Sequence, residues 1–361
     1  MQQIDSLRQQ ILAAAADQRP LRIRGGGTKD WYGGALAGDI LDMRALSGII
    51  DYEPTELVIT ARSGTPLAEI EAALRERNQM LAFEPPHFGP AATLGGVVAA
   101  GLSGPRRASS GAVRDFVLGA VLMDGGGEVL NFGGQVMKNV AGYDVSRLLA
   151  GSMGMLGVML QHSLKVLPRP VCEASVRFAS SEIDAIARLN AWGGQPLPLS
   201  ASCWHDGVLT VRLSGAGAAV DAALRAFGGE QLDADAADAF WADVREQRHA
   251  FFADADAGGG ALWRLSVPSV TGALVMGGAQ LIEWGGALRW LKVAAGDDAA
   301  RAASIRASVR AAGGHATLFR KGPGSSGVPV FEPLAPAIAR IHARLKQAFD
   351  PANIFNPGRM F

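Results

Sequence analysis

The chain has 361 residues, 48% of them hydrophobic and 19% charged, which places it among apolar globular proteins of two or three domains and excludes disorder. Basic and acidic side chains balance at 34 each, so no net field draws the chain to nucleic acid or to an anionic membrane. Two cysteines, Cys172 and Cys203, make neither a disulfide framework nor a metal cluster and fit a reduced, cytoplasmic setting.

Taken in order, the chain opens with MQQIDSLRQQILAAAA, an amphipathic helix pattern without the basic and apolar regions of a secretory signal. No apolar run reaches the ~18–20 residues of a membrane span. Alternation over 20–24 predicts a strand that runs into Gly25-Gly26-Gly27-Thr28-Lys29, and 40–43 and 57–62 are further strand candidates. Thr65 as N-cap and Pro66 as first helical residue predict a helix over 66–77, with Leu67, Ile70 and Leu74 on one face.

From Thr93 to Val158 the chain concentrates fifteen of its 46 glycines. Glycine at that density is expected where backbone must turn through positive φ or approach another group closely. Within the stretch, 116–123 and 128–132 flank Asp124-Gly-Gly-Gly as a hairpin, and Asp144 can cap a helix over 145–149. A long strand over 157–167 is expected to carry Val158, Leu160, His162, Leu164 and Val166 on one face, with His162 as a hydrogen-bonded core residue.

Pro168 and Pro170 mark a domain boundary. Beyond it, strand patterns at 208–213, 261–267 and 287–293 alternate with helical patterns at 181–191, 218–227, 234–252 and 299–312, which suggests a small α+β domain, and a further strand is expected after it at 316–319. The tryptophans of this region read as core or interface anchors. Leu334, Ile338, Ile341 and Leu345 then stripe a final helix stopped by Asp350-Pro351.

Four clusters carry the chemistry. In Arg24-Gly-Gly-Gly-Thr-Lys29, three successive glycines can aim their amides into one concavity suited to a pyrophosphate; a plain turn accounts for them equally well. The loop is neither the GxGxxG fingerprint, since Asp30 stands where glycine is needed, nor a GxxxxGK[ST] P-loop. Thr93-Leu94-Gly95-Gly96, with Ser103-Gly104 after it, allows close backbone packing against a ring or ribose, or simply a tight helix. Lys138 to Asp144 threads polar residues through apolar surroundings. Gly151-Ser-Met-Gly-Met-Leu-Gly157 leads into the long strand. Together, in this order, they point to a backbone-lined trench for a large planar, phosphate-bearing ligand.

The succession RGGGTK, ATLGG…SGP, GAVRDFVLGAVLMDGGGEVLNFGG, KNVAGYDVSRLLAGSMGMLGV and the terminal FDPANIFNPGRMF resembles the FAD-linked oxidases of the vanillyl-alcohol-oxidase type, which have a PCMH-type FAD-binding fold. The likeness covers about 1–170 and returns at about 311–361. It implies an α+β flavoprotein: a flavin domain over 1–170 with subdomains of about 1–55 and 56–170, a cap domain over 171–312, and a segment over 313–361 whose helix returns to the flavin domain.

For the cofactor, the resemblance implies non-covalent FAD, because no histidine stands in Thr28-Lys29-Asp30-Trp31, where some members attach their flavin. Arg24, Gly25, Gly26, Gly27, Thr28 and Lys29 would hold the pyrophosphate. Thr93, Leu94, Gly95, Gly96, Ser103, Gly104, Gly111, Val113 and Asp115 would run along the ribityl chain and flavin. Gly157 and Val158 would serve the adenine end, Lys138 would add a contact, and Asn356 would return to the isoalloxazine edge.

For the reaction, it implies an FAD-binding subunit of a glycolate (2-hydroxyacid) dehydrogenase complex that oxidises glycolate to glyoxylate. Its partners would be a larger FAD-binding glycolate oxidase subunit and an iron–sulfur subunit, whose cluster two cysteines here cannot supply. The setting would be cytoplasmic, or peripheral at the inner membrane through those partners. Alternatives are a non-catalytic, FAD-stabilised structural subunit, or an oxidoreductase of the same superfamily acting on another alcohol or sugar. A hydroxy acid needs a cation for its carboxylate and a base for its hydroxyl proton. Arg264 and Arg320 are the candidate cations and His315 the candidate base. Two departures favour an auxiliary role: Met153 replaces a usual acidic residue, and the HxGDGNxH cluster of larger relatives is absent, so no metal site is expected.

Overall fold

The protein was analysed as a computed structural model, which describes residues 2–134, 144–257, 260–296 and 298–361. The chain forms two compact units: Met1–Ser103 with Gly111–Arg169 and Pro333–Phe361, and Gly104–Ser110 with Pro170–Glu332. Among the described residues no helix is long and apolar enough to cross a membrane.

The first unit holds a five-stranded antiparallel sheet in the order Ile49–Glu53, Val58–Arg62, Val158–Lys165, Val117–Met123, Val129–Gly133. Helices Leu67–Glu76 and Leu94–Ala100 lay Leu67, Ile70, Leu74, Val97 and Val98 on one face of it, where they meet Phe83, Phe116 and Leu164. The other face meets Leu7 and Ile11 of helix Gln2–Ala16, together with Leu41 and Phe355. A separate parallel pair, Leu21–Arg24 with Asp39–Asp42, is extended at its edge by the bridge from Leu21 to Phe355. The hairpin at Asp124 forms as expected: its carboxylate accepts from the amides of Gly126 and Glu128, both at 2.9 Å. Asp144 likewise caps helix Val145–Leu148 through the Arg147 amide.

Three expectations are corrected here. The first helix after the strands begins at Leu67, because the Thr65 hydroxyl accepts from the Gly48 amide at 2.9 Å instead of capping the helix. The long strand does not keep one face: an irregularity against Val121 and Leu122 shifts its register, so Val158 and Leu160 enter one core cluster while Met159 and Leu164 enter the other. His162, pressed between Ala61 and Ala120, is fully buried, and neither ring nitrogen has a hydrogen-bond partner among the described residues.

Burial lowers the His162 pKa to about 4. The unfolded chain therefore takes up this proton near pH 6.5, while the folded chain resists it until about 4. The stability of the neutral form is complete above pH 6.5 and falls by up to about 3 kcal/mol as the pH drops through that window. Urea unfolding at pH 7 and pH 4.5 should show this loss, and His162→Leu should remove most of it. An equal acid loss in both proteins would exclude His162 as its source.

The second unit is an eight-stranded sheet in the order Glu230–Gln231, Cys172–Ala179, Val208–Gly215, Leu199–His205, Ala279–Glu283, Leu288–Val293, Ala261–Ser266, His315–Arg320. Helices Glu182–Gly193 and Gly217–Phe227 pack on one half through Leu189, Val220 and Ala223, and Asp298–Ala311 on the other through Ile305 and Val309. The expected helix over 234–252 is two, Ala234–Glu246 and Ala250–Ala257, because Gln247 adopts a left-handed cap with φ +56°. The return to the first unit begins at Pro333 rather than at 313. Strand His315–Arg320 pairs with Ala261–Ser266 and so belongs to the second sheet.

Candidate functional site

A cleft in the first unit gathers the ends of three segments. Ile23 to Asp30 leave the parallel strand pair, Thr93 to Ala100 form a short helix and its entry, and Met153 to Gly157 lead into the central strand. Met43, Ser63, Met159, Asn356 and Arg359 complete the wall.

The glycine loop is built for close backbone approach. A Cβ at Gly26 would lie 1.5 Å from the Ala91 carbonyl oxygen, so only glycine lets this loop lie against the segment before Thr93. The amides of Gly25, Gly26, Gly27 and Thr28 donate to no described residue. Four successive backbone donors without a partner among the described residues, along one wall of the cleft, suit an anion. Beside them Lys29 Nζ reaches the His87 carbonyl at 3.1 Å, and Asp30 is held by Arg22 and Arg24.

Deeper in the cleft, the hydroxyls of Thr93 and Ser63 are buried and have no hydrogen-bond partner among the described residues. A buried polar atom left unpaired is costly, so such atoms mark where a bound group supplies the missing partner. Free amides at one end and orphaned hydroxyls further in, over a wall of Gly95, Gly96, Ala99 and Met159, fit a ligand with an anionic middle and a flat, hydrogen-bonding ring. These residues fit FAD.

The structure brings together Arg24, Gly25, Gly26, Gly27, Thr28, Lys29, Thr93, Gly95, Gly96, Gly157 and Asn356 of the residues expected there. Leu94, Val113 and Val158 do not line the cleft and their side chains pack into the core, although for Val158 it is the backbone that is expected to serve the ligand. Ser103, Gly111 and Asp115 form a turn of their own, in which Ser103 Oγ accepts from the Val113 amide and Asp115 from the Ala112 amide. Gly104 lies in the second unit, where its carbonyl accepts from Trp284 Nε1 at 3.0 Å. Lys138 falls outside the described residues.

Asn356 does not spend its amide on an open edge. Its Oδ1 accepts from the Ile23 amide at 2.8 Å and its Nδ2 donates to the Met153 carbonyl at 2.7 Å. Arg359, buried nearby, donates to the carbonyls of Asp30, Tyr32 and Gly34. Ser63 was missed because nothing in its immediate sequence sets it apart from a core or turn residue.

The three candidate catalytic residues lie in the second unit, on its paired end strands. Arg264 stacks over Trp284 at 5.3 Å, and Arg320 donates to Gln247 Oε1 at 3.0 Å. His315 reaches solvent, and its pKa is lowered, first by burial of its surroundings and then by Arg264, with Glu332 opposing. Arg264 and His315 are therefore electrostatic neighbours. A larger cavity of about 880 Å³ also lies in this unit, lined by Arg177, His205, Phe240 and His249. It contains none of the orphaned buried atoms that distinguish the glycine cleft.

Residues 2–133 match the family described as FAD binding domain. The chain is 49% identical over 356 residues to glycolate oxidase subunit GlcE of Escherichia coli (strain K12), a match covering 99% of the chain and 97% of that relative. The chain belongs to this family of glycolate oxidase subunits. It is also similar to glycolate oxidase subunit GlcD of Bacillus subtilis (strain 168), at 28% identity over 182 residues, 49% of the chain and 38% of that relative. The solved structure of alkyldihydroxyacetonephosphate synthase superposes with a TM-score of 0.64 at 15% identity, covering 98% of the chain and 74% of that protein, which shows a shared fold. The fold is thus the α+β, PCMH-type one, the cofactor is FAD, and the protein is an FAD-linked oxidoreductase subunit of the hydroxy-acid class. Among the described residues no group of three or more His, Cys, Asp or Glu is placed to hold a metal ion.

Proposed function

We propose that the chain is the FAD-binding subunit through which a glycolate dehydrogenase complex oxidises glycolate to glyoxylate, passing electrons to a larger FAD-binding subunit and an iron–sulfur subunit. The observation that carries this reading is the glycine cleft with its four free amides, in a chain that aligns end to end with a glycolate oxidase subunit. FAD, when bound, supplies the hydride acceptor.

The chain's own residues then have separable tasks. The Gly25–Thr28 amides and Lys29 hold the anionic middle of the cofactor. Within the second unit, Arg264 and Arg320 are the candidate cations for a carboxylate, and His315, whose pKa is lowered, is the candidate acceptor of a hydroxyl proton.

A partner is supported by the last helix, Pro336–Phe349. Leu345 and Phe349 pack on the first unit's core, but the same stripe continues through Ile338 and Ile341, which are 44% and 59% exposed. No acidic residue stands on this helix, so Arg340 and Arg344 flank the exposed stripe with positive charge alone. A partner surface that is apolar and rimmed by carboxylates fits it.

The test is anaerobic addition of glycolate to the FAD-loaded chain, alone and with its two partner subunits, while flavin absorbance is followed. Bleaching in either setting supports the oxidation, and bleaching only with partners assigns the chain an auxiliary place in it. Flavin that stays oxidised in both settings, while D-lactate, sugars or aldehydes bleach it, would transfer the reading to another substrate. In the same preparation, Ile338→Asp with Ile341→Asp should keep the flavin and lose co-purification with the larger subunit.

A further inference from the structure

Met153 lies in the cleft wall in the left-handed region, with φ +55°, a conformation that non-glycine residues rarely adopt without support. Two hydrogen bonds surround it. Its amide donates to the Ala99 carbonyl at 2.9 Å, and its carbonyl accepts from Asn356 Nδ2 at 2.7 Å. Asn356 is anchored in turn on the opposite wall, since its amide donates to the Leu21 carbonyl and its Oδ1 accepts from the Ile23 amide.

Gly154, the residue Met153 orients, is buried, and its amide donates to no described residue. A Cβ there would meet Asn356 Nδ2 at 2.7 Å, so the side-chain amide occupies the space that glycine leaves. The arrangement joins an unusual torsion, a side chain that holds its carbonyl, and a buried backbone donor in a residue that lines the cleft.

We propose that Asn356 is a positioning residue for FAD. It holds Met153 left-handed and thereby fixes the Gly154 N–H as a donor to the bound cofactor. The cofactor gains from a wall set before it binds, as expected when ordering costs are met in advance. This assignment concerns loading of FAD and does not depend on which hydroxy acid is oxidised.

The experiment titrates the full-length apo chain with FAD and follows flavin fluorescence. Asn356→Asp keeps an acceptor for the Ile23 amide but turns the donor facing Met153 into a second oxygen. It should weaken FAD at least tenfold. Met153→Gly, which relieves the cost of the left-handed torsion but keeps the 153 carbonyl, should weaken FAD less than Asn356→Asp does, and Asn356→Asp added to it should cost clearly less than in the wild-type background. That loss of dependence separates holding of the torsion from general stability, which would penalise Asn356→Asp equally in both backgrounds. Should Asn356→Asp not fold, Met153→Val reads the same torsion with Asn356 intact: a β-branched residue resists positive φ and should weaken FAD about tenfold, several times more than Met153→Leu, whose β-carbon is unbranched. An undiminished effect of Asn356→Asp in the Met153→Gly background, or an unchanged dissociation constant for Met153→Val, would overturn the proposal.

Discussion

Lys346→Met destabilises the first unit by about 3–5 kcal/mol, the range for a buried ion pair that loses one partner. Lys346 Nζ donates to the carbonyls of Met155 and Phe355 at 2.7 and 2.8 Å and pairs with Asp350 Oδ2 at 2.5 Å, with side-chain exposures of 7% and 0%. Burial lowers the lysine pKa, and Asp350, its hydrogen-bond and charge partner, opposes that shift. With the ammonium gone, Asp350 keeps, among the described residues, the Ile354 and Phe355 amides and stays buried with an uncompensated charge. Urea unfolding reads the loss. Adding Asp350→Asn should recover part of it, because removing both charges costs less than removing one. A single variant within about 1 kcal/mol of wild type would mean that Lys346 bears little of the C-terminal segment's attachment.

Gly26→Ala yields a chain that purifies without flavin and binds added FAD at least 100-fold more weakly, a loss of about 2.7 kcal/mol. The new methyl would sit 1.5 Å from a backbone oxygen and 2.4 Å from its carbon at Ala91, neither of which can rotate away as a side chain can. The loop must move, and with it the four amides proposed to hold the pyrophosphate. Flavin absorbance per chain and a fluorescence titration measure the effect, with Gly217→Ala as control, since that residue is helical and a Cβ there meets nothing within 4 Å. Normal flavin content in Gly26→Ala would dismiss the loop as the pyrophosphate cradle.

Much of this site is legible from local chemistry. Three glycines after a strand, a hairpin at Asp124 and a cap at Asp144 each declare themselves within a few residues, because turns and caps are decided by neighbours along the chain. What sequence reasoning misses is decided at a distance. Asn356 is bonded across 333 positions to Ile23 and across 203 to Met153, and no periodicity announces either contact. Strand His315–Arg320 looks like part of the returning segment until its pairing with Ala261–Ser266 is seen. His162 sits in an apolar run, and only the paired strands show that its ring has nothing to bond. The break at Gln247 turns on one left-handed torsion that an Ala-rich helical pattern conceals.

The bridge from Leu21 to Phe355 places the edge of the first sheet pair against residues that the ribosome delivers more than three hundred positions later. The flavin unit is therefore not a vectorial fold. During synthesis the glycine loop emerges early but lacks Asn356 and Arg359 behind it, and the whole second unit must pass before the wall is closed. Contacts of such sequence separation are slow to form. Closure of the FAD cleft thus waits for residues 354–359 to be made, and until then the half-made cleft leaves its wall uncovered.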